Sequence, residues 1–329
     1  MKKFIFILIY FIMSICIISS LLAEEEISEQ TIILEVQWFP QSQFAGYIMA
    51  YEKGFYKNLG LNVQISFSDG TDSPINKILN EEAKFCTAWL SQAIVLKTKG
   101  TPIVNISQIL QKSSLLLVSK KTSNIFEPTD MNGKCISTWG GDFSIQPNAF
   151  FNKFDINAKI VPQSFTIDAF LAGACDVCSA MYYNEYHKFI QAGINEDELV
   201  PFFYSDFDLN FPEDGIYCTE ETFNSNPELC KKIVQASIAG WEYAFTHPEE
   251  TLDFVMKYCD EFHMQTNWSH QKWMLEAIET AVKYQVGDDP ANWGKLRKDD
   301  FLRVAYELKE QGFIDEIPSF DNFSKGDKK

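Results

Sequence analysis

The fold is decided near the start of the chain by residues 32–65, IILEVQWFPQSQFAGYIMAYEKGFYKNLGLNVQI. The β-branched run at 32–36 predicts a strand, and residues 43–56 predict a helix that ends near Gly60. Residues 61–65 alternate apolar and polar side chains, as a second strand does. Strands and helices that alternate with short loops predict a parallel or mixed α/β sheet.

The same alternation continues along the chain and then restarts. Further strands are predicted at residues 84–87, 103–108, 115–119, 132–137, 158–161 and 177–181. Helices are predicted at residues 72–80, 91–99, 147–154, 167–172, 184–192, 227–245, 248–259 and 271–284. Two successive α/β units predict two α/β lobes, with the crossing near Lys120. We assign residues 31–119 and 216–320 to one lobe and residues 120–215 to the other.

Residues 1–23 have the pattern of a secretory signal peptide. Lys2 and Lys3 supply the positive start, a long apolar run follows, and an acidic segment begins at Glu24. We expect cleavage after Ala23, which would place the mature chain in the periplasm or another extracytoplasmic space.

Two alternatives to cleavage after Ala23 remain open at this point. Cys16 could carry a lipid anchor, but Ile15 stands where a lipid-attachment site needs a small residue, so the lipid is disfavoured. The apolar run also approaches the length that spans a bilayer and could stay as a membrane anchor.

Charge and composition exclude some classes of partner. The chain carries a formal net charge of −17, which becomes −19 when Lys2 and Lys3 leave with the signal peptide. Such a balance argues against nucleic acid, which requires a basic face. Aromatic residues make up 15% of the chain, enough to fill a core and still line a pocket.

No arrangement of residues predicts catalysis, a metal site or a cofactor. The seven cysteines after residue 23 are scattered and odd in number, which is not a disulfide framework. Cys175 and Cys178 have the spacing of half a zinc site, but no second pair accompanies them, so buried apolar roles are favoured. The four histidines form no metalloprotease motif, and nucleotide-binding glycine motifs are absent from the sequence.

Aromatic and amide side chains stand instead at the carboxyl ends of predicted strands, where open α/β sheets bind ligands. Any one aromatic is more often part of a core, but the same placement after four strands predicts a slot for a flat ring. Amide and carboxylate groups beside them can hydrogen-bond the ring edge. The candidate ligand-binding residues on these ends are Trp38, Phe39, Gln43, Trp89, Trp139, Gly140, Tyr182, Asn184 and Glu185.

Several segments resemble a known family. They are VQWFPQSQFAGY at 36–47, EKGFY at 52–56, LGL at 59–61, GTPI at 100–103, WGG at 139–141, AMYYNEY at 180–186 and EDGI at 213–216. This pattern, over about residues 31–320, resembles ABC transporter substrate-binding proteins of the thiamine-pyrimidine synthase-like family, which includes SsuA-type, thiamine-precursor-binding and riboflavin-binding members. The last segment adds Asp214 to the candidate site.

The resemblance implies a type II periplasmic binding protein, with two α/β lobes joined by a hinge around a central ligand cleft. It implies a monomer that delivers a small planar heterocycle to an ABC permease of the inner membrane. Relatives bind formylaminopyrimidine or hydroxymethylpyrimidine, which are thiamine precursors, and others bind riboflavin. We therefore expect a thiamine pyrimidine precursor as ligand, with riboflavin as the alternative.

One branch of the resembling family consists of enzymes that make the pyrimidine from pyridoxal phosphate and their own histidine. Aligned on the GTPI segment, the cofactor lysine of that branch falls at Ala88 and its histidine at Gln92. Its cysteine-rich segment falls at 211–218, where Cys218 alone is a cysteine. The enzyme is thus a weak alternative. A sensory module would need a fused signalling domain, which we do not expect from this sequence.

Overall fold

A computed structural model describes residues 31–326 of the chain. The signal peptide predicted for residues 1–23 therefore lies outside the described residues. Within them, the chain forms two five-stranded sheets with helices around each, which confirms the predicted α/β fold of two lobes. We call the part that holds the first sheet lobe 1 and the part that holds the second sheet lobe 2.

Lobe 1 is built on a mixed sheet. Its strands are β1 (Ile32–Val36), β2 (Val63–Phe67), β3 (Phe85–Trp89), β4 (Ile103–Gln108) and β10 (Asp214–Thr219). Their spatial order is β2-β1-β3-β10-β4. β1 pairs in parallel with β2 and with β3. β10 runs antiparallel between β3 and β4, so the sheet is completed by a strand from much later in the chain.

Lobe 2 has the same organisation in a contiguous part of the chain. Its strands are β5 (Leu115–Lys120), β6 (Cys135–Thr138), β7 (Lys159–Pro162), β8 (Val177–Met181) and β9 (Leu199–Phe203). Their order is β7-β6-β8-β5-β9, with β5 antiparallel to both of its neighbours.

Helices surround both sheets. Those before β5 are α1 (Ala45–Glu52), α2 (Phe55–Asn58), α3 (Pro74–Leu79) and α4 (Leu90–Thr98), and those of lobe 2 are α5 (Ile145–Lys153), α6 (Asp168–Leu171) and α7 (His187–Gln191). After β10 come α8 (Glu220–Ser225), α9 (Pro227–Thr246), α10 (Pro248–Glu261), α11 (Trp268–Lys283), α12 (Lys298–Glu310) and α13 (Phe320–Phe323). Between residues 31 and 326, none of these helices combines the length and the apolar character needed to cross a membrane.

The crossings between the lobes differ from the predicted boundaries. β5 pairs with β8 and β9, so the chain leaves lobe 1 between Gln108 and Leu115 rather than near Lys120. It returns before β10, which begins at Asp214. An apolar run predicts a strand but not the sheet in which the strand pairs, and this is why the sequence placed residues 115–119 in the wrong lobe.

Some predicted elements also differ in detail. The helix predicted for residues 43–56 is interrupted at Gly54, whose φ of 71° lies in the left-handed region and separates α1 from α2. The helix predicted for residues 184–192 starts with a π-helical turn, Tyr182–Tyr186, that leads into α7. β9 and β10 were not predicted.

The two crossings are hydrogen-bonded to each other through side chains. The buried Glu213 carboxylate, just before β10, accepts hydrogen bonds from the backbone N–H of Ser114 and, at 3.2 Å, of Leu115. Asn210 accepts from the backbone N–H of Ser113 at 2.9 Å and donates to the carbonyl of Gln111 at 2.9 Å. These bonds give hydrogen-bond partners to buried backbone groups at the crossings, which water cannot reach.

Helix α9 brings the last third of the chain back onto lobe 1. A Cβ at Gly240 of α9 would lie 2.0 Å from the carbonyl oxygen of Gly46 in α1, and a Cβ at Gly46 would meet the Trp241 ring at 2.1 Å. The two glycines therefore permit a close crossing of α9 over α1. Trp241 is almost completely buried at this crossing, with 1% of its surface exposed.

Candidate ligand-binding site

A cavity of about 550 Å³ is lined by residues from both lobes. Six aromatic residues contribute to its wall: Trp38, Trp89, Trp139, Phe143, Phe165 and Tyr183. Six side-chain amides contribute as well: Gln37, Gln41, Gln43, Gln92, Gln163 and Asn184. The remaining lining residues are Gly70, Thr71, Asp72, Ser73, Pro74, Gly140, Met181 and Glu185. Rings for stacking and amides for edge recognition are the composition expected of a site for a flat polar molecule.

The aromatic residues of the two lobes meet at the cavity. Trp38, which follows β1, has its ring centroid 5.9 Å from that of Phe165 in lobe 2. Trp89, at the end of β3, lies 4.6 Å from Phe143, which in turn lies 5.8 Å from Trp139 after β6. Of these rings, Trp38, Trp89 and Trp139 lie at strand ends, while Phe143 and Phe165 lie farther along the loops.

The position of Trp38 depends on a glycine. Gly70 has a φ of 79°, and a Cβ built there would lie 2.3 Å from the Trp38 ring. A side chain at residue 70 would therefore be strained and would push the indole out of place.

In lobe 1, a buried carboxylate holds the glutamines of the wall. Asp214, at the start of β10, accepts hydrogen bonds from Gln37 Nε2 and, at 2.8 Å, from Gln43 Nε2. Gln41 Nε2 donates to Gln43 Oε1 at 2.6 Å, which extends the network along the 3-10 turn before α1. Burial raises the pKa of Asp214 to about 7, and the two glutamine donors oppose this rise by stabilising the charged form.

In lobe 2, the polar wall is formed by Asn184 and Glu185 on the π-helical turn after β8. Glu185 is 5% exposed; its Oε2 accepts from the Met181 backbone N–H at 3.0 Å and its Oε1 accepts from Asn184 Nδ2 at 2.6 Å. Burial raises the pKa of Glu185, and Lys188, 3.9 Å away, opposes the rise. A π-helical turn carries an extra residue in the helical coil and is often found at functional sites.

A chain of hydrogen bonds behind this wall leads back to lobe 1. His270 Nε2, in α11, lies 3.0 Å from Asn184 Oδ1, and His270 Nδ1 lies 2.9 Å from His187 Nδ1. Because the Asn184 amide nitrogen donates to Glu185, its oxygen must accept, and His270 must carry its proton on Nε2. Burial lowers the pKa of His270 to about 4, which keeps the ring neutral at physiological pH.

Helix α11 makes contact with both sides of the cavity. The Gln271 side chain accepts a hydrogen bond from the Ser42 backbone N–H of lobe 1 at 2.7 Å. Two residues later, Trp273 Nε1 donates to the Tyr182 carbonyl of lobe 2 at 2.9 Å. The helix thus links the two loops that carry the polar walls.

The structure brings together seven of the ten residues predicted for the site. Trp38, Gln43, Trp89, Trp139, Gly140, Asn184 and Glu185 line the cavity. Phe39 does not line it; its ring packs against the edge of Trp38, with centroids 5.6 Å apart. Tyr182 points away and packs against Phe203 and Trp273, and its neighbour Tyr183 lines the cavity instead. Asp214 lies behind the wall and contacts it through glutamines.

Several lining residues were not predicted from the sequence. Gln37 and Gln41 flank predicted residues in the same segment and could have been included with them. Phe143, Phe165 and the loop at 70–74 lie outside predicted strand ends, so no local pattern indicated them. In residues 31–326, no group of three or more metal-ligating side chains is arranged to hold a metal ion.

Comparison with known proteins agrees with this architecture. The chain is 22% identical over 313 residues to the riboflavin-binding protein RibY of Chloroflexus aurantiacus, covering 88% of this chain and 86% of RibY. It is 19% identical over 297 residues to the formylaminopyrimidine-binding protein of Halalkalibacterium halodurans, covering 83% and 86%.

Among solved structures, the aliphatic sulphonate binding protein SsuA of Escherichia coli superposes with a TM-score of 0.69 at 10% identity, over 90% of this chain and 92% of SsuA. The fold is therefore that of a periplasmic binding protein, as expected. The family model described as NMT1/THI5 like matches residues 41–251, which include most of the cavity wall. The chain belongs to the NMT1/THI5-like family.

Proposed function

We propose that this protein is the extracytoplasmic solute-binding component of an ABC importer and that its ligand is a planar nitrogen heterocycle. The cavity of about 550 Å³ carries the proposal, because rings from both lobes and amides from both lobes converge on it. Aromatic rings bind a flat ligand by its faces, while amides and the Glu185 carboxylate bind its edge. The names of the two curated relatives, one a flavin binder and one a pyrimidine binder, support the same class of ligand.

A thiamine pyrimidine precursor of the hydroxymethylpyrimidine or formylaminopyrimidine type is the first candidate. Its ring is small and flat, and its exocyclic amino group is a hydrogen-bond donor. Glu185, an acceptor in its charged form, lies in the wall beside Tyr183 and can receive that donor.

Riboflavin is the second candidate, and one observation favours it. Six aromatic side chains spread along a cavity of this volume offer more stacking surface than one pyrimidine ring can use, and a three-ring flavin would use more of it.

The alternative of a pyrimidine-forming enzyme finds no support in the wall residues. Ala88, which aligns with the cofactor lysine of the enzymatic branch, is a fully buried residue of β3. Gln92 lines the cavity where that branch has its histidine. None of the lining residues from the described part of the chain is lysine or arginine, so pyridoxal phosphate would lack both its Schiff-base partner and a cation for its phosphate. The residues present do not fit that cofactor.

The partners follow from the proposed role. We propose that it acts as a monomer that docks on the membrane permease of its importer, and the formal net charge of −17 argues against nucleic acid as a partner.

The experiment is identification of the bound molecule followed by titration. Protein purified without denaturation would be analysed by mass spectrometry for released ligand. Ligand-free protein would then be titrated calorimetrically with hydroxymethylpyrimidine, formylaminopyrimidine and riboflavin. We expect one of the three to bind one-to-one. No heat from any of the three would contradict the proposal, and retained pyridoxal phosphate absorbance would favour the enzyme instead.

A further inference from the structure

The first observation concerns Asp214, a carboxylate that does not itself line the cavity. It is 1% exposed and lies behind the wall of lobe 1, where its two oxygens accept from the amide nitrogens of Gln37 and Gln43. Both glutamines point their amide nitrogens at Asp214, and these two donors favour its charged form. In that form the carboxylate can only accept hydrogen bonds, which keeps both nitrogens facing it.

The orientation of these amides determines what the wall offers a ligand. When the Gln37 nitrogen donates to Asp214, its carbonyl oxygen is left free of Asp214 and can accept a hydrogen bond from a ligand in the cavity that Gln37 lines. Gln43 also donates its amide nitrogen to Asp214, and its carbonyl oxygen accepts a hydrogen bond from Gln41 Nε2. The carbonyl oxygen of Gln41 is therefore the end of that amide that does not contact Gln43. One buried carboxylate thus sets the polarity of two lining amides, Gln37 and Gln41, as acceptors.

The second observation concerns the charge of the lining residues. Asp72 and Glu185 are the charged side chains among them, and both are acidic. No lysine, arginine or histidine from residues 31–326 is among the lining residues. An anionic group on a ligand would meet carbonyl oxygens and carboxylates there without a cation to neutralise it, which costs affinity.

We propose that Asp214 is a positioning residue that holds Gln37 and Gln41 as hydrogen-bond acceptors, and that the cavity thereby selects uncharged or cationic heterocycles with N–H donors on their edge and rejects their phosphorylated forms. The proposal rests on the proposed function for its ligand class. Its account of Asp214 can be tested without any ligand.

The first test uses ligand-free protein labelled with ¹⁵N in its glutamine side chains. The NH₂ signals of Gln37 and Gln43 would be assigned from their loss in Gln37→Leu and Gln43→Leu. An asparagine at 214 has one acceptor and one donor end, so in Asp214→Asn one of the two glutamines must turn over. We expect at least one NH₂ signal to move toward the position of an exposed glutamine. Unchanged signals for both would overturn the proposal.

The second test measures selectivity with matched probes. These are 4-amino-5-hydroxymethyl-2-methylpyrimidine against its 4-methyl isostere, riboflavin against its N3-methyl derivative, and each parent compound against its phosphate ester. For whichever parent binds, we expect wild type to prefer it at least about tenfold over both its methyl analogue and its phosphate ester. Asp214→Asn should lose the preference over the methyl analogue. Equal affinities for parent and analogue, or for parent and ester, would overturn the proposal.

Asp300→Asn is the control, because Asp300 on α12 is also a buried carboxylate, 3% exposed, and does not line the cavity. It is ion-paired with Arg303 on the same helix and with Arg297 just before it. It should keep both the glutamine signals and the selectivity of wild type. Should Asp214→Asn not fold, Gln37→Leu removes one acceptor directly and should lose the same preference. If none of hydroxymethylpyrimidine, formylaminopyrimidine and riboflavin binds wild type, the proposed function fails, while the glutamine signals still decide the role of Asp214.

Discussion

The Nε2 atom of His270 lies 3.0 Å from Oδ1 of Asn184, and this contact joins a helix that follows the last strand of lobe 1 to the polar wall of lobe 2. Asn184 in turn donates to Glu185 at 2.6 Å. A residue outside the cavity therefore sets the orientation of two residues inside it.

We predict that His270→Ala weakens ligand binding about fivefold to tenfold, because Asn184 loses the donor that orients it and a typical hydrogen bond contributes about 1 kcal/mol. Calorimetric titration with the ligand identified by mass spectrometry measures the effect. His270→Gln keeps an N–H donor and should recover part of the affinity. Equal affinities of all three proteins would show that the contact does not serve binding.

Glu185→Gln should lower affinity by about 1.5–3 kcal/mol, because it removes a charge-assisted hydrogen bond to the ligand edge. Without ligand, the variant should melt at or above the wild-type temperature, since burial disfavours the charge it removes. Titration beside a ligand-free melting curve separates the two effects. Full-strength binding by the variant would assign Glu185 to the structure of the turn alone.

Trp38→Ala and Trp139→Ala should each weaken binding by about 1–3 kcal/mol, the range for loss of one stacking surface. The two residues come from different lobes and both line the cavity. Trp268→Ala is a suitable control, because Trp268 begins α11, is 41% exposed and does not line the cavity. Quenching of tryptophan fluorescence on titration measures all three, and unchanged affinity in both cavity variants would rule out the aromatic slot.

The free energy of unfolding should fall as pH rises from about 6.5 to 8. Burial raises the pKa of Glu213 from 4.5 to about 8, with a further rise from the nearby Asp214. Across that range the unfolded chain has already released this proton while the folded chain still holds it, so rising pH favours the unfolded state.

Glu213→Gln removes the titrating group and should show a smaller fall, with a melting temperature a few degrees above wild type at pH 8.5. Denaturant titrations at pH 6.5 and 8.5 measure the free energy of unfolding of both proteins. An equal fall in wild type and variant between these two pH values would assign the pH dependence to other groups.

The opposite dependence applies to His270 in acid. Burial lowers its pKa from 6.5 to about 4, so the unfolded chain takes up a proton as pH falls through that range and the folded chain does not. We expect the free energy of unfolding of wild type to fall as pH falls from 6.5 to 4. The fall should be smaller in His270→Gln. Melting curves at pH 7 and 4.5 measure the loss of stability in wild type and in the variant. An equal loss in both proteins would contradict the role of His270.

Local patterns in the sequence were sufficient for the first eight strands but not for their partners. Leu115–Lys120 is an apolar run that any buried strand could have, and its place in lobe 2 depends on pairing with β8 and β9, far along the chain. β10 contains a glycine and begins at Asp214, which weakens its strand pattern. It is nevertheless the antiparallel strand that completes the sheet of lobe 1.

The candidate site was predictable where it follows strand ends. Trp38, Trp89 and Trp139 were found by this rule, since the end of a strand also determines the edge of the sheet. Tyr182 and Tyr183 could not be told apart, because the π-helical turn that decides which ring faces the cavity leaves no periodic signal. The role of Asp214 behind the wall depends on contacts with residues more than 170 positions earlier.

The position of β10 between β3 and β4 has a consequence for how the chain acquires its structure during synthesis. Within the described residues, β4 has no neighbouring strand other than β10, so it must wait for residues 214–219 to emerge before it can pair. All five strands of lobe 2 lie within residues 115–203 and need nothing later. Lobe 2 can therefore fold while the sheet of lobe 1 is still open, and an aggregation-prone edge persists until the last third of the chain arrives.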